Sequence, residues 1–274
     1  MLTSVNPKVS ILVPVYNAQE FITETISAVL SQSFADFELI LLDDASTDKT
    51  AAIIKKFADR DKRIVYLHND TNLGISASRN KLLSVAKGEY SAILDHDDIC
   101  LPRRLEYQVD YMDNNQDVDM IGSRFELFCP KNAPLWRRLI TNLGWVWCHP
   151  PYPTTSDLLQ GNVMMHPTMM YRTQKLLKAG IYYRSEYSPA EDYDLVRQAL
   201  LNGLKLYNMP QILLKYRLYG GNQSLLKKQL MQKADKKIKD EVAKLLGKEN
   251  DKPYPYWRVM LKKLRWKLFM KKEK

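Results

Sequence analysis

Four apolar runs, each followed by a stretch of helical period or by a sharp polar break, decide what this chain can fold into. They are Val9-Ser10-Ile11-Leu12-Val13-Pro14-Val15, Phe37-Glu38-Leu39-Ile40-Leu41-Leu42, Arg63-Ile64-Val65-Tyr66-Leu67 and Ser91-Ala92-Ile93-Leu94. Nearly unbroken apolar character is the mark of strands covered on both faces. Pro14 lacks an N–H, so regular pairing is expected to end there. Between the runs, Ile22, Ile26, Val29 and Leu30 recur at helical spacing, as do Ile53, Ile54, Phe57 and Ala58. Ser46-Thr47 are candidate N-caps for the second helix. A third helix is expected from about Ser76 to Lys87, closed by Gly88. Alternating strands and helices of this length predict an α/β, mostly parallel, Rossmann-like sheet with helices on both faces. Such sheets bind ligands beyond the carboxyl ends of their strands.

Three polar clusters fall at that edge: Val15-Tyr16-Asn17, Asp43-Asp44 and Asp95-His96-Asp97-Asp98. Asp95 and Asp97 alternate along an extended chain and so share a side, where a hard divalent cation with oxygen ligands would neutralise both. A solvated acidic turn is the other reading of that tetrapeptide taken alone. The first turn, Pro14-Val15-Tyr16-Asn17-Ala18, has no glycine, so the close backbone approach of a dinucleotide fingerprint is excluded. An aromatic ring and carboxylates suit a base, a ribose and a metal-held diphosphate instead.

Farther along, Leu105, Val109 and Met112 stripe a helix after Pro102, and Asp119-Met120-Ile121-Gly122 reads as a strand. Trp136, Arg137-Arg138, Trp145, Trp147 and Pro150-Pro151-Tyr152-Pro153 crowd a segment without period. It is either irregular core or an acceptor-facing loop whose rings stack on sugars. Val163 to Arg172 reads as a strand pair or a bent strand. A helix beginning at Ser188 or Pro189 would place Glu191 and Asp192 in its first turn. There they either complement the helix dipole or include a general base kept ionised by peptide N–H groups.

Charge narrows the partners. The net charge is +10, but residues 227–274 carry 17 Lys or Arg against 6 Asp or Glu, leaving the first 226 residues at −1. That distribution, without a reading motif, argues against nucleic acid. Cys100, Cys129 and Cys148 have no metal-ligand spacing and read as reduced structural thiols. No stretch is apolar enough to span a bilayer, and the first residues lack a secretory pattern, so a cytoplasmic protein is expected. Trp257, Met260, Leu261, Leu264 and Leu268 share one helical face flanked by Arg258, Lys262, Arg265 and Lys267. That face predicts a peripheral contact with the anionic cytosolic side of a membrane, unless the helix packs on the body or is a solvated basic face. Leu225 to Leu246 reads as a basic helix leading to it. The expected division is therefore 1–224, with the three polar clusters in about 1–100 and Glu191-Asp192 in 101–224, followed by a basic amphipathic helical tail, 225–274.

Assembled in order, Val13-Pro14-Val15-Tyr16-Asn17, Asp43-Asp44-Ala45-Ser46-Thr47-Asp48, Ala77-Ser78-Arg79-Asn80, Leu94-Asp95-His96-Asp97-Asp98, His166-Pro167 and Ala190-Glu191-Asp192-Tyr193-Asp194-Leu195 resemble the family 2 glycosyltransferases of the GT-A fold over about residues 8 to 224. The resemblance implies an inverting enzyme that uses Mn²⁺ or Mg²⁺ to move one sugar from a UDP-sugar to a hydroxyl of a glycan or lipid-linked glycan. It implies that Pro14, Val15, Tyr16 and Asn17 line the nucleoside site, that Asp44 meets the uracil, and that Asp43 supports the loop. Arg79 would reach base or diphosphate, and Asp95 and His96 would lie by the donor. Asp97 would bind the metal with Asp95, assisted by Asp98, and Asp192 would be the base with Glu191 beside it. Many relatives have a histidine where Tyr219 follows Tyr216-Arg217-Leu218; Arg217, Tyr219 and His166 are therefore accessory candidates, His166 being equally a packed residue. Lys262 to Trp266 brushes against a motif of processive synthases but lacks its glutamine, so single transfer is expected. Transfer to polyprenyl phosphate, and a non-catalytic sugar-nucleotide or membrane-binding protein, are the alternatives.

Overall fold

A computed structural model describes residues 6–130, 133–142, 146–147, 149–222 and 226–248. The expected segment around Trp257 to Leu268 and the thiol of Cys148 lie outside the described residues, as do the side chains of Trp136, Trp145 and Trp147.

The first hundred residues fold as the apolar runs require. Strands β1 (Val9–Val15), β2 (Phe37–Asp43), β3 (Ile64–His68) and β4 (Tyr90–Ile93) alternate with helices α1 (Ile22–Leu30), α2 (Thr50–Ala58) and α3 (Ile75–Val85). All pairings among the four strands are parallel, in the order β3-β2-β1-β4. Every residue of β1 and β2 is buried, as two-sided cover demands. Ile11, Val13 and Leu39 enter the core beneath α1 and α2, whereas Leu12, Ile40 and Ile93 enter the core beneath α3. Burying a large aliphatic side chain contributes about 1.5–3 kcal/mol, so these strands dominate the stability of the first hundred residues.

Three local expectations change. Pro14 ends pairing only on one side: β1 leaves β4 at Leu12↔Ile93 but stays in register with β2 through Pro14↔Leu42 and Val15↔Asp43. Ser46 and Thr47 do not cap α2. Asp48 accepts the Thr50 N–H (2.9 Å), which frees Ser46 and Thr47 for the neighbouring loop. Gly88 does not close α3 in a left-handed turn either. It sits where β4 meets β1, donating its N–H to Ser10 Oγ (2.7 Å), and a Cβ there would lie 2.4 Å from Ser10 N.

Beyond β4 the sheet becomes mixed. After β5 (Ile99–Cys100), α4 (Arg104–Asn114) buries Leu105, Val109 and Met112 as its stripe predicts. β6 (Met120–Phe128), α5 (Leu135–Asn142) and β7 (Val146–Trp147) follow. The 163–172 segment is not a strand pair: a 3₁₀ turn, His166–Thr168, leads into β8 (Met170–Arg172), which continues into α6 (Thr173–Lys178). β8 lies antiparallel between β4 and β6, β9 (Leu206–Arg217) runs parallel to β6, and β5 closes the far edge against β9. Pro167 and the short β8 explain why periodicity misjudged this stretch.

The long helix α8 (Lys228–Leu245) packs on the body, with Ile238 and Val242 fully buried in the core shared with α3 and α7 (Glu191–Leu201). Glu241 fixes it, accepting from Tyr187 Oη and pairing with Arg197 of α7. Arg197 in turn reaches Asp194, which is fully buried and also holds Arg184.

Candidate active site

The carboxyl edge of the parallel strands is built from interlocked loops. Asn17 Oδ1 accepts from Thr47 N (2.8 Å), and its own N–H donates to Ser46 Oγ (2.9 Å). Ala18 N–H donates to Thr50 Oγ1 (2.8 Å) and Gln19 N–H to Asp48 Oδ2 (3.1 Å). This lacing holds two residues in the left-handed region, Asn17 (φ 48°) and Ala45 (φ 61°). Asn tolerates that conformation; for Ala it costs about 1–2 kcal/mol.

Both carboxylates of the Asp43-Asp44 pair are engaged. Asp43, fully buried, accepts from Ser46 N (3.0 Å) and Tyr66 Oη (3.3 Å), so it supports its loop. Asp44 accepts from Asn69 Nδ2 (2.7 Å), Leu73 N (2.9 Å) and Gly74 N (2.9 Å). Three of a carboxylate's roughly four acceptor positions are thus filled by the 69–74 loop, leaving about one for a base N–H. Val15 carries its side chain into the core, 1% exposed, and Pro14 is buried as well. Tyr16 (45%) and Leu73 (55%) are exposed at this edge, and the Leu73 N–H meets Asp44. They form an apolar rim suited to the faces of a base.

The acidic loop after β4 is held by its backbone. Thr25 Oγ1 donates to the carbonyl of His96 (2.8 Å), and Arg217 Nε donates to that of Asp97 (2.6 Å). His96 Nδ1 lies 3.3 Å from the carbonyl of Pro14. Its three carboxylates have different environments. Asp98 is fully buried, accepting the Arg217 N–H (2.9 Å) on Oδ1 while Oδ2 has no partner. Burial, then the charges of Asp97 and Asp95, push its pKa well above the ordinary aspartate range. The side chain of Asp98 therefore props the loop from below rather than facing the cleft with the other two. Asp95 and Asp97 are half-buried. Burial also raises the pKa of Asp95, opposed by Arg79. The Tyr219 hydroxyl neighbours Asp97, and its ring packs edge-on to Phe21 with centroids 4.7 Å apart.

Among the described residues no three His, Cys, Asp or Glu side chains converge as a ready cage. That donor set fits Mg²⁺ or Mn²⁺, which take one or two carboxylates and complete their shell with water and substrate phosphate. The mutual repulsion of Asp95, Asp97 and Asp98 marks a local deficit of positive charge that such an ion, held by Asp97 and Asp95, would fill.

Arg79 joins this donor edge to α7. Its guanidinium, 9% exposed, donates from Nη1 to Glu191 Oε1 (2.6 Å) and from Nη2 to Asp95 Oδ1 (3.2 Å), over the ring of Tyr183. Glu191 and Asp95 hold its own pKa above the usual arginine value. Glu191 is the first residue of α7 and 5% exposed; Asp192, the second, is half-buried and opens toward the cleft. Asn162 Nδ2 donates to Asp192 Oδ2 (3.0 Å). Enclosure, followed by the charge of Glu191, pushes the Asp192 carboxyl up to about 7, the value of a base poised near neutrality.

The structure thus brings Tyr16, Asn17, Asp43, Asp44, Arg79, Asp95, His96, Asp97, Glu191 and Asp192 to one edge, with Arg217 and Tyr219 behind the acidic loop. His166 stands apart: 4% exposed, its Nε2 meets Tyr183 Oη (2.9 Å), and burial followed by Arg79 holds it neutral, well below the ordinary histidine pKa. It is a packed residue beneath Arg79, unsuited to balance a diphosphate. Sequence reasoning missed Asn162, Asn69, Leu73 and Thr25. Only Leu73 had a signal, its position in an Asn-Leu-Gly turn at a strand end. In the aromatic segment, Tyr152 is 69% exposed and lies against Tyr207 (5.1 Å between centroids), which stacks on Tyr111 (4.6 Å).

A parallel half, a mixed half, an acidic loop at the end of β4 and a carboxylate at the start of a later helix define a glycosyltransferase of GT-A type. The sequence profile described as Glycosyl transferase family 2 matches residues 10–179. The chain belongs to that family, and it is a glycosyltransferase. It is 34% identical over 214 residues to an uncharacterized glycosyltransferase of Methanocaldococcus jannaschii, covering 77% of this chain and 71% of the relative. To the UDP-Glc:alpha-D-GlcNAc-diphosphoundecaprenol beta-1,3-glucosyltransferase WfaP of Escherichia coli it is 30% identical over 217 residues, covering 79% of each. Among solved structures, S. aureus TarS 1–349 in complex with UDP-GlcNAc aligns with a TM-score of 0.64 at 24% identity, over 78% of this chain and 60% of that one. Of the longer TarS crystal structure the chain spans 39%. At those identities the structural likeness speaks for the fold.

Proposed function

We propose that this transferase moves a single sugar from a UDP-sugar to a hydroxyl of a glycan or lipid-linked glycan, with inversion and with help from Mn²⁺ or Mg²⁺. The observation that carries this reading is Asp192, tuned to about 7 and held by Asn162, standing next to Glu191, which Arg79 bridges to Asp95 of the acidic loop. Tyr16 and Leu73 hold the two faces of the base, and the free acceptor position of Asp44 takes its N–H. Asp97, with Asp95 beside it, holds the metal. Bound there, Mg²⁺ or Mn²⁺ supplies Lewis-acid stabilisation of the leaving diphosphate. Asp192 removes the proton of the incoming hydroxyl as that oxygen attacks the anomeric carbon and the bond to the diphosphate breaks. One base and one face of attack give a single displacement and inversion. Glu191 is spared this role by its ion pair with Arg79, and it keeps that guanidinium in place.

The printed name of the E. coli relative, with its diphosphoundecaprenol-linked acceptor, supports a lipid-linked glycan acceptor here. Together with the basic C-terminal 48 residues it supports work at the cytosolic face of a membrane, in assembly of a surface polysaccharide. Among the described residues, no helix is long and apolar enough to cross a bilayer. Substituting Asp192→Asn tests the base: transfer falls by about 10²–10⁴-fold while UDP binding in Mn²⁺ persists. Wild-type transfer by that variant removes Asp192 from the mechanism.

A further inference from the structure

The excess positive charge of the chain begins with Lys227, and α8 shows where its first part goes. Within 226–248 there are eight lysines against three acidic residues. The acidic residues are turned away or matched. Glu241 points into the body, where it meets Tyr187 and Arg197, Asp235 is half-buried, and Asp240 is bridged by Lys236 (2.7 Å). Apolar residues on the same side, Ile238 and Val242, are consumed by the core. Packing has therefore sorted the helix: what it shows outward is basic.

That outward side is not purely polar. Leu230, Lys233 and Lys244 are spaced by 3 and 11 residues, which puts them on one stripe, and Leu226 lies just before the first turn of the helix, whereas Lys237 turns to the body, its Nζ 4.2 Å from the centroid of the Tyr187 ring. Leu226 is 65% exposed and Leu230 55%, and Lys236, beside the stripe, is exposed as well. Lysines attract phosphate, but a polyanion dissolved in water offers nothing to two exposed leucines. An anionic bilayer offers both, headgroup charge for the lysines and acyl chains for the leucines.

We propose that the outer stripe of α8 is a docking surface for an anionic phospholipid bilayer. It deepens, and rests on, the membrane part of the function proposed above. The residues of 249–274, which add nine Lys or Arg against three acidic residues, continue the same charge. Because α8 is latched to α7 through Glu241 and Arg197, and the first turn of α7 carries Asp192, docking fixes the catalytic cleft relative to the lipid plane. A lipid-linked acceptor then reaches Asp192 by moving within that plane.

Vesicle co-flotation of the full chain tests this, with vesicles rich in phosphatidylglycerol compared with phosphatidylcholine alone. The expected result is binding to the anionic vesicles that weakens with salt. Lys233→Glu, Lys236→Glu and Lys244→Glu together should weaken it at least ~100-fold, at about 1 kcal/mol per lysine. Leu226→Ser with Leu230→Ser should weaken it about tenfold or more. Unchanged UDP binding by each variant certifies the fold. Full-chain binding that is the same with the triple lysine variant overturns the proposal while leaving the membrane reading intact, since 249–274 then suffice. No binding of the wild-type chain to anionic vesicles defeats both. Binding of a soluble polyphosphate as tightly as vesicles, indifferent to the leucine substitutions, reassigns the stripe to a dissolved polyanion and overturns it too.

Discussion

The pH dependence of transfer offers the most direct test of how the site is wired. Asp192 is held near 7 by its enclosure and by Glu191, against the opposing charge of Arg79 and the backbone N–H of Tyr193, and Asn162 Nδ2 also donates to its carboxylate. A base acts only when ionised, so activity rises with pH through the folded-state value and is lost below it. With a pKa of about 7, the ionised fraction is about one half at pH 7, about one tenth at pH 6 and about one hundredth at pH 5. An aspartate with an ordinary pKa of about 4 would still be about 90% ionised at pH 5. The two cases differ by nearly a hundredfold at that pH. The assay is kcat/KM between pH 5 and 9, which reports the free enzyme. Asp95 and Asp98 are also pushed upward, so UDP binding in Mn²⁺ must be measured at each pH to separate loss of donor from loss of base. The expected acid limb has unit slope below about pH 7 while donor binding persists. A profile flat to pH 5 with donor bound would refute the assignment of the raised carboxyl to the base.

Asn162→Ala should remove a charge-assisted hydrogen bond worth about 1.5–3 kcal/mol, moving the acid limb upward by about one unit or more; a limb that stays put places Asn162 outside the tuning of the base. Asp98→Asn keeps the acceptor for Arg217 but removes a buried, repelled charge. Since a raised folded-state pKa costs stability only above the unfolded aspartate value of about 4, the substitution should raise Tm at pH 8 and leave it nearly unchanged below about pH 4, with Mn²⁺ affinity retained; a collapse of metal affinity would make Asp98 a ligand. Ala45→Gly relieves the left-handed alanine, less the backbone entropy of glycine, for a net gain of about 0.5–1 kcal/mol read as a higher urea midpoint. An unchanged or lower midpoint would mean that the lacing of Asn17 to Ser46 and Thr47 already compensates that strain.

Sequence reading reached the donor half almost intact because its signals are local. Continuous apolar runs sit beside helical periods, and polar groups sit at strand ends, so β1 to β4, Asp43-Asp44 and Asp95 to Asp98 lie where they were expected. A helix with Glu191 and Asp192 in its first turn was legible for the same reason, although it starts at Glu191 rather than at Ser188 or Pro189. What was not legible depends on distance along the chain. Asn162 is thirty residues from Asp192, in a segment with no period, and nothing local predicts that they meet. Asp98 and Asp97 are neighbours with the same side chain, yet β9, far downstream, supplies Arg217 and so decides which one is buried. The helix α8 shows an ambiguity of another kind. An amphipathic basic helix has the same pattern whether its apolar side faces lipid or protein, and only the buried Ile238 and Val242 with the Glu241 latch decide it.

Gly88 contributes no chemical group to transfer, yet any side chain there strikes the backbone of Ser10 and Val9. The collision falls at the start of β4, and the strand's far end aims Asp95 and Asp97. Random mutagenesis that selects for loss of the glycan product should therefore return Gly88 as readily as Asp192. The two classes part on purification: Asp192 variants keep UDP binding and thermal midpoint, whereas Gly88 variants lose both. An inventory of essential positions in this chain thus includes one whose requirement is room rather than reactivity.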